Sequence, residues 1–168
     1  MFRILFFLVL LLFCSCNFTN KEKYKFFPAS KEKYIFSGRY LELENGVELI
    51  TSAASIKTVA FGDSVYIYGR SLNEQHHYLS IEIGEQYKGR FRIKSDTLKF
   101  ALPDDQQGTE ITIYKDTEAS NGSILLQGIG ADSIATPDRI EKPTIEFIGN
   151  SITCGMGADA REISCENG

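Results

Sequence analysis

Between residues 34 and 131 the apolar side chains recur at every second position, and no other feature of the chain limits its fold so strongly. Leu79, Ile81 and Ile83 alternate with Ser80 and Glu82, and Phe91 and Ile93 with Arg92 and Lys94. Leu98, Phe100 and Leu102 flank Lys99 and Ala101, and Ile111 and Ile113 flank Thr112. A period of two places one set of side chains on a dry face and the other on a wet face, the pattern of half-buried antiparallel strands. No stretch carries a helical stripe. Turn chemistry separates the runs at Asn45-Gly46, Gly62-Asp63, Gly84, Gly89, Gln107-Gly108 and Asn121-Gly122. About eight to ten short strands at this spacing predict a β-sandwich or jelly roll rather than βαβ units. With 43% hydrophobic and 12% aromatic residues in 168, one well-formed core is within reach. The formal charge of −4 and the lack of a basic stripe leave a nucleic-acid role without electrostatic support.

The flanks have a different character. Arg3 precedes an unbroken apolar run over residues 4–13, shorter than the about 20 residues that a bilayer span needs but suited to a signal-peptide core. Phe13-Cys14-Ser15-Cys16 follows and resembles the bacterial lipobox, with Phe13 where Leu is usual. The resemblance implies lipidation of Cys16 and an exported protein held at the cell envelope; a plain secretory signal cut nearby stays open. Residues 17–33, with Lys21, Lys23, Lys25, Lys31 and Lys33, are expected to form a solvated tether. The β module is placed at 34–131, a polar linker with two prolines at 132–143, and the start of a second domain at 144–168.

That second segment opens with a compact apolar run, TIEFI (144–148), leading directly into Gly149-Asn150-Ser151. A strand that ends in a Gly-x-Ser turn exposes a hydroxyl at its carboxyl end, where open α/β sheets place ligand chemistry. Serine needs a base to take its proton and N–H donors for the oxyanion; the turn lets the backbone N–H of Ser151 be one of them. Gly149-Asn150-Ser151-Ile152-Thr153-Cys154-Gly155 resembles the first block of the SGNH (GDSL-like) hydrolases, Gly-Asp-Ser-x-x-x-Gly, with Asn150 in place of Asp. The likeness is greatest to carbohydrate esterase family two, whose members place a jelly roll ahead of the SGNH domain. Lys115-Asp116-Thr117-Glu118-Ala119 and Gly122 are similar to that family's K-x-T-E-A…G stretch. The resemblance implies a polysaccharide deacetylase with Ser151 as nucleophile, Gly155 as structural companion, an acetylated polysaccharide as partner, and neither metal nor cofactor. It also implies a Gly block, an Asn block and a D-x-x-H base block, none of which occurs in these residues. The chain is therefore expected to be an N-terminal portion, inactive alone, with the 144–148 strand lacking neighbours and the last dozen residues disordered.

Other residues carry weaker signals. Gly62-Asp63-Ser64 spells the GDS triplet, but Gly69 is one position too far and a strand follows, so a hairpin turn is expected. His76 and His77, beside Asn73-Glu74-Gln75, are assigned to a solvated loop rather than to a catalytic base. Glu118 is left as a loop or domain brace, and Cys154 and Cys165 leave a disulfide and free thiols both open. With no tryptophan, a sugar platform must use Tyr or Phe; Tyr66, Tyr68, Tyr78 and Tyr87 are candidates, against plain strand packing. The competing function is a lipid-anchored β-sandwich that binds glycan without chemistry.

Overall fold

The computed structural model describes residues 24–73, 77–93, 97–105, 107–138 and 148–149. They form two six-stranded antiparallel sheets, the jelly-roll sandwich that the alternation predicts. In sheet A the order is β3 (Tyr40–Leu43), β4 (Gly46–Leu49), β11 (Ile124–Ala131), β6 (Ser64–Ser71) and β9 (Thr97–Ala101), and β1 (Lys25–Pro28) also pairs with β11. In sheet B it is β12 (Ser133–Ala135), β5 (Ser55–Phe61), β10 (Thr109–Lys115), β7 (His77–Ile83) and β8 (Gln86–Ile93), and β2 (Ile35–Ser37) also pairs with β5.

Register explains how the alternating residues become one core. Ile113 stands opposite both Ile56 and Ile81, and Ile111 opposite Thr58 and Ile83, so inward rows cross sheet B strand by strand. In sheet A, Leu126 faces Val47, and Ile67 faces both Ile129 and Leu98. Fully burying one such aliphatic side chain contributes about 1.5–3 kcal/mol, so these rows dominate the favourable side of folding. Phe91 of β8 meets Phe100 of β9 edge to face at 5.1 Å and closes one side of the sandwich.

One irregularity shapes the outer surface of sheet A. The β11–β6 register shifts between Leu126 and Gly128, a bulge that reverses the phase of β11. Ile124 and Leu126 face the core before it, and Ile129 and Ala131 after it. Gly128 has φ +156°, and a Cβ there would collide with the Phe27 carbonyl, so only glycine fits. After the bulge, Gly128 lies opposite Tyr68 and Gly130 opposite Tyr66. On the other edge the same two glycines pair with Pro28 and Phe26 of β1.

The sandwich is wider than the sequence indicates. Residues 25–28, expected in a tether, form β1, and Tyr34 is buried with its hydroxyl donating to the Phe27 carbonyl at 2.8 Å. Residues 133–135, expected in the linker, form β12. In both places backbone pairing to a central strand outweighs local polarity. The β3–β4 hairpin exists, but its two-residue loop is Glu44-Asn45, with Leu43 opposite Gly46, so Gly46 opens the strand instead of sharing the turn. Gly62-Asp63 is not a hairpin turn: it carries the chain from β5 in sheet B to β6 in sheet A.

Candidate functional site

The residues that the nucleophile motif singles out lie almost wholly beyond the described part of the chain. Ser151, Asn150 and Gly155 fall outside the described residues, as do Cys16, Cys14, Cys154, Cys165, His76 and the 144–147 part of the expected strand. Gly149 is described, exposed and in neither helix nor strand. Among the described residues no helix is long and apolar enough to cross a membrane, and no group of three or more His, Cys, Asp or Glu is placed to hold a metal. Ser64 of the GDS triplet opens β6 opposite Ala101, a ladder position rather than an exposed elbow.

His77 corrects the expectation of a solvated loop. It starts β7 and is fully buried. Its Nε2 lies 2.7 Å from Asn73 Oδ1 and its Nδ1 3.0 Å from Thr117 Oγ1. Asn73 Nδ2 donates to the Asn121 carbonyl at 2.7 Å, which turns Oδ1 toward the ring, so Nε2–H is the donor there. Both ring nitrogens are thus committed inside the sandwich, and the imidazole is not presented as a base.

The Lys115-Asp116-Thr117-Glu118 stretch completes this polar knot where the chain leaves sheet B for β11 in sheet A. Lys115 is fully buried, and its Nζ donates to the carbonyls of Thr117 and Glu118, at 3.0 Å for the latter. Burial pushes its ammonium down to about 8. Asp116 points the opposite way, onto the outer face of sheet B. It accepts from Ser80 Oγ at 2.9 Å and lies 3.0 Å from Arg90 Nε, an ion pair that is not aligned as a hydrogen bond. Burial raises the Asp116 carboxyl, opposed by Ser80, Arg90 and Lys115. Glu118 contributes its carbonyl, and a turn at Ala119–Asn121 leads out to Gly122. Gly122 has φ +106°, and a Cβ there would run into the Asn73 amide. The motif is a corner brace between the sheets.

The four candidate tyrosines separate into two pairs on opposite outer faces. On sheet B, Arg90 lies over the Tyr78 ring at 4.3 Å, and the Tyr87 hydroxyl is 3.3 Å from Ser80 Oγ. Tyr114 donates to Glu82 at 2.9 Å, and Lys57 pairs with Glu110 at 2.7 Å. On sheet A, Tyr24 stacks on Tyr66 with centroids 4.1 Å apart, Phe26 meets Tyr68 edge to face at 5.3 Å, and the Tyr24 and Tyr68 hydroxyls lie 2.8 Å apart. A recess of about 280 Å³ lies among Tyr24, Phe26, Tyr68 and Gln127. Sequence reasoning found Tyr68 but missed Tyr24, Phe26 and Gln127. The available signal was the alternation of glycines in Gln127-Gly128-Ile129-Gly130, which leaves one strand face bare for rings from neighbouring strands.

No protein-family model matches the sequence, and no curated protein matches it. The likeness is to solved folds. An acetyl xylan esterase from the rumen bacterium Butyrivibrio proteoclasticus superposes with TM-score 0.67 at 17% identity over 83% of this chain and 42% of its own. A family two carbohydrate esterase from Clostridium thermocellum, in complex with cellohexaose, gives 0.59 at 24% identity over 74% of this chain and 39% of its own. What they share with this chain is the β-sandwich fold. A CBM36-1 domain of a multidomain xylanase, from the hindgut metagenome of Trinervitermes trinervoides, gives 0.50 at 13% identity over 69% of this chain and 99% of its own. The chain spans about two fifths of the length of these two esterases.

Proposed function

We propose that this chain supplies the glycan-facing β-sandwich and the nucleophile turn of an exported carbohydrate ester hydrolase. The observation that carries the reading is the shared sandwich fold with family two carbohydrate esterases, in a chain whose sandwich is followed in sequence by the apolar run 144–148 and Gly149-Asn150-Ser151. In this reading the Ser151 hydroxyl attacks the carbonyl carbon of a sugar-borne acetyl group. A general base takes the hydroxyl proton, and the Ser151 N–H donates to the oxyanion. The sugar alkoxide leaves with a proton, and water then releases acetate from the acyl-serine. His77 does not supply the base, since its two nitrogens serve Asn73 and Thr117. The resemblance assigns the base to a D-x-x-H block outside these residues. Removal of a general base costs about 10²–10⁴-fold in rate, so the 168 residues alone are expected to give no Ser151-dependent turnover of aryl acetate. In a polypeptide that also carries the later blocks, acetate release from acetylated xylan should vanish in Ser151→Ala and persist in His77→Gln. Retention of activity in Ser151→Ala would remove the serine assignment. Lipidation of Cys16 belongs to the same proposal; incorporation of an alkyne fatty acid, lost in Cys16→Ser, is the expected outcome.

A second reading, a binding module without chemistry, draws on the likeness to the CBM36-1 domain and on the aromatic recess. Both readings require contact with glycan.

A further inference from the structure

We infer that the recess on the outer face of sheet A is a binding subsite for one uncharged pyranose unit of a polysaccharide. This rests on the glycan reading above and adds a location and a ligand chemistry to it. The recess is a constructed feature. Gly128 and Gly130 remove side chains from two successive outward positions of β11, β6 brings Tyr68 from one side, and β1 with the residue just before it brings Phe26 and Tyr24 from the other. A Cβ on Gly130 would meet the Tyr24 ring at 2.7 Å, so the bare strand is what lets that ring lie flat against Tyr66. Phe26 is 49% exposed although it belongs to a paired strand, an apolar edge held at the surface.

The chemistry of the lining selects among ligands. Aromatic rings match the C–H faces of a sugar, and the Gln127 carboxamide offers both a donor and an acceptor to its hydroxyls, beside two phenol oxygens that are bonded to each other at 2.8 Å. Among the described residues only uncharged side chains line the recess; the Lys99 ammonium lies on the neighbouring Tyr66 ring at 5.2 Å, outside that lining, so the lining itself offers an acidic sugar or a phosphate no counter-charge. A volume of about 280 Å³ is at the small end of ligand pockets, which run to about 300–1,000 Å³, and suits a single ring. The outer face of sheet B lacks this character, because its tyrosines lie within an Arg90–Asp116–Ser80–Glu82 network of ion pairs and hydrogen bonds.

The test is titration of the protein with xylohexaose, mannohexaose and cellohexaose, followed by ¹H–¹⁵N NMR. At least one sugar should shift the Gln127 side-chain amide and the backbone amides of Gly128 and Gly130. Tyr68→Ala should weaken that binding about tenfold or more, the effect of losing one aromatic platform. Gly130→Ala, which displaces the Tyr24 ring while leaving every ring present, should weaken it as well. Tyr87→Ala on the opposite face should leave it unchanged; spectral dispersion verifies the fold of each variant. Binding that maps to another surface, or that survives both Tyr68→Ala and Gly130→Ala, overturns the recess while the glycan reading stands. Failure of all three sugars to bind overturns both.

Discussion

The polar knot at the sheet corner and the recess on sheet A both gather hydrogen-bonding side chains, yet they use them in opposite ways. In the knot, buried Lys115, His77 and Thr117, with Asn73 at the surface, aim their polar atoms at one another and at nearby carbonyls. In the recess, Tyr24, Tyr68 and Gln127 line an open concavity beside half-buried rings, and the two tyrosine hydroxyls bond to each other. The knot holds the more reactive residue types, including a lysine with a depressed pKa, and depressed lysines often mark catalysis. Its closure argues otherwise: a group whose donors are consumed internally stabilises a corner, and an unfilled concavity with mixed aromatic and neutral polar walls is what a ligand can enter. Residue type alone ranks the knot first, whereas access from solvent ranks the recess first.

Substitutions separate the two regions. The largest expected effect is Lys115→Ala, which leaves the Thr117 and Glu118 carbonyls without their donor and opens a cavity; about 2–5 kcal/mol of stability should be lost in urea unfolding. A smaller loss would mean that the knot is not closed. Next is pH dependence. The folded-state value of Lys115 is about 8 against an ordinary 10.5. Between those values the unfolded chain holds more protons, so stability should rise with pH across this window, by at most about 1.4 kcal/mol per pH unit. Lys115→Met should flatten the rise, and an unchanged slope in that variant would reassign it to another group. Above pH 10 buried Tyr34, whose pKa is raised by desolvation, acts in the opposite direction, so pH 8–10 is the informative range. Smallest is Tyr68→Phe, which removes one hydroxyl of a half-buried pair and should change stability by no more than about 1 kcal/mol. A loss comparable to that of Lys115→Ala would make the recess a structural element after all.

The fold was legible because alternation is a local signal. The residues of β6, β7 and β10 point inward where their period places them, and β11 keeps that period only on either side of its bulge. The missed elements depend on partners far along the chain. Lys25–Pro28 becomes a strand only because bulged β11 offers it an edge, and its lysines disguise the Tyr24/Phe26 alternation. His77 sits in a locally polar run, and what buries it is Thr117, 40 positions away. Gly62-Asp63 has ordinary turn chemistry, but local sequence does not tell which sheet the next strand joins. Of the candidate site, the Gly-x-Ser motif rests on sequence alone, with Asn150 and Ser151 outside the described residues, whereas the recess emerges from strands β1, β6 and β11 and the residue before β1, brought together by register.

The central claim is that this sandwich meets polysaccharide through the glycine-floored face of sheet A. Affinity electrophoresis through gels containing acetylated and deacetylated xylan and mannan tests it directly. The protein and Tyr87→Ala should be retarded on at least one of these polymers, with Tyr68→Ala migrating as in a sugar-free gel. Equal migration of all three proteins in every gel would contradict it.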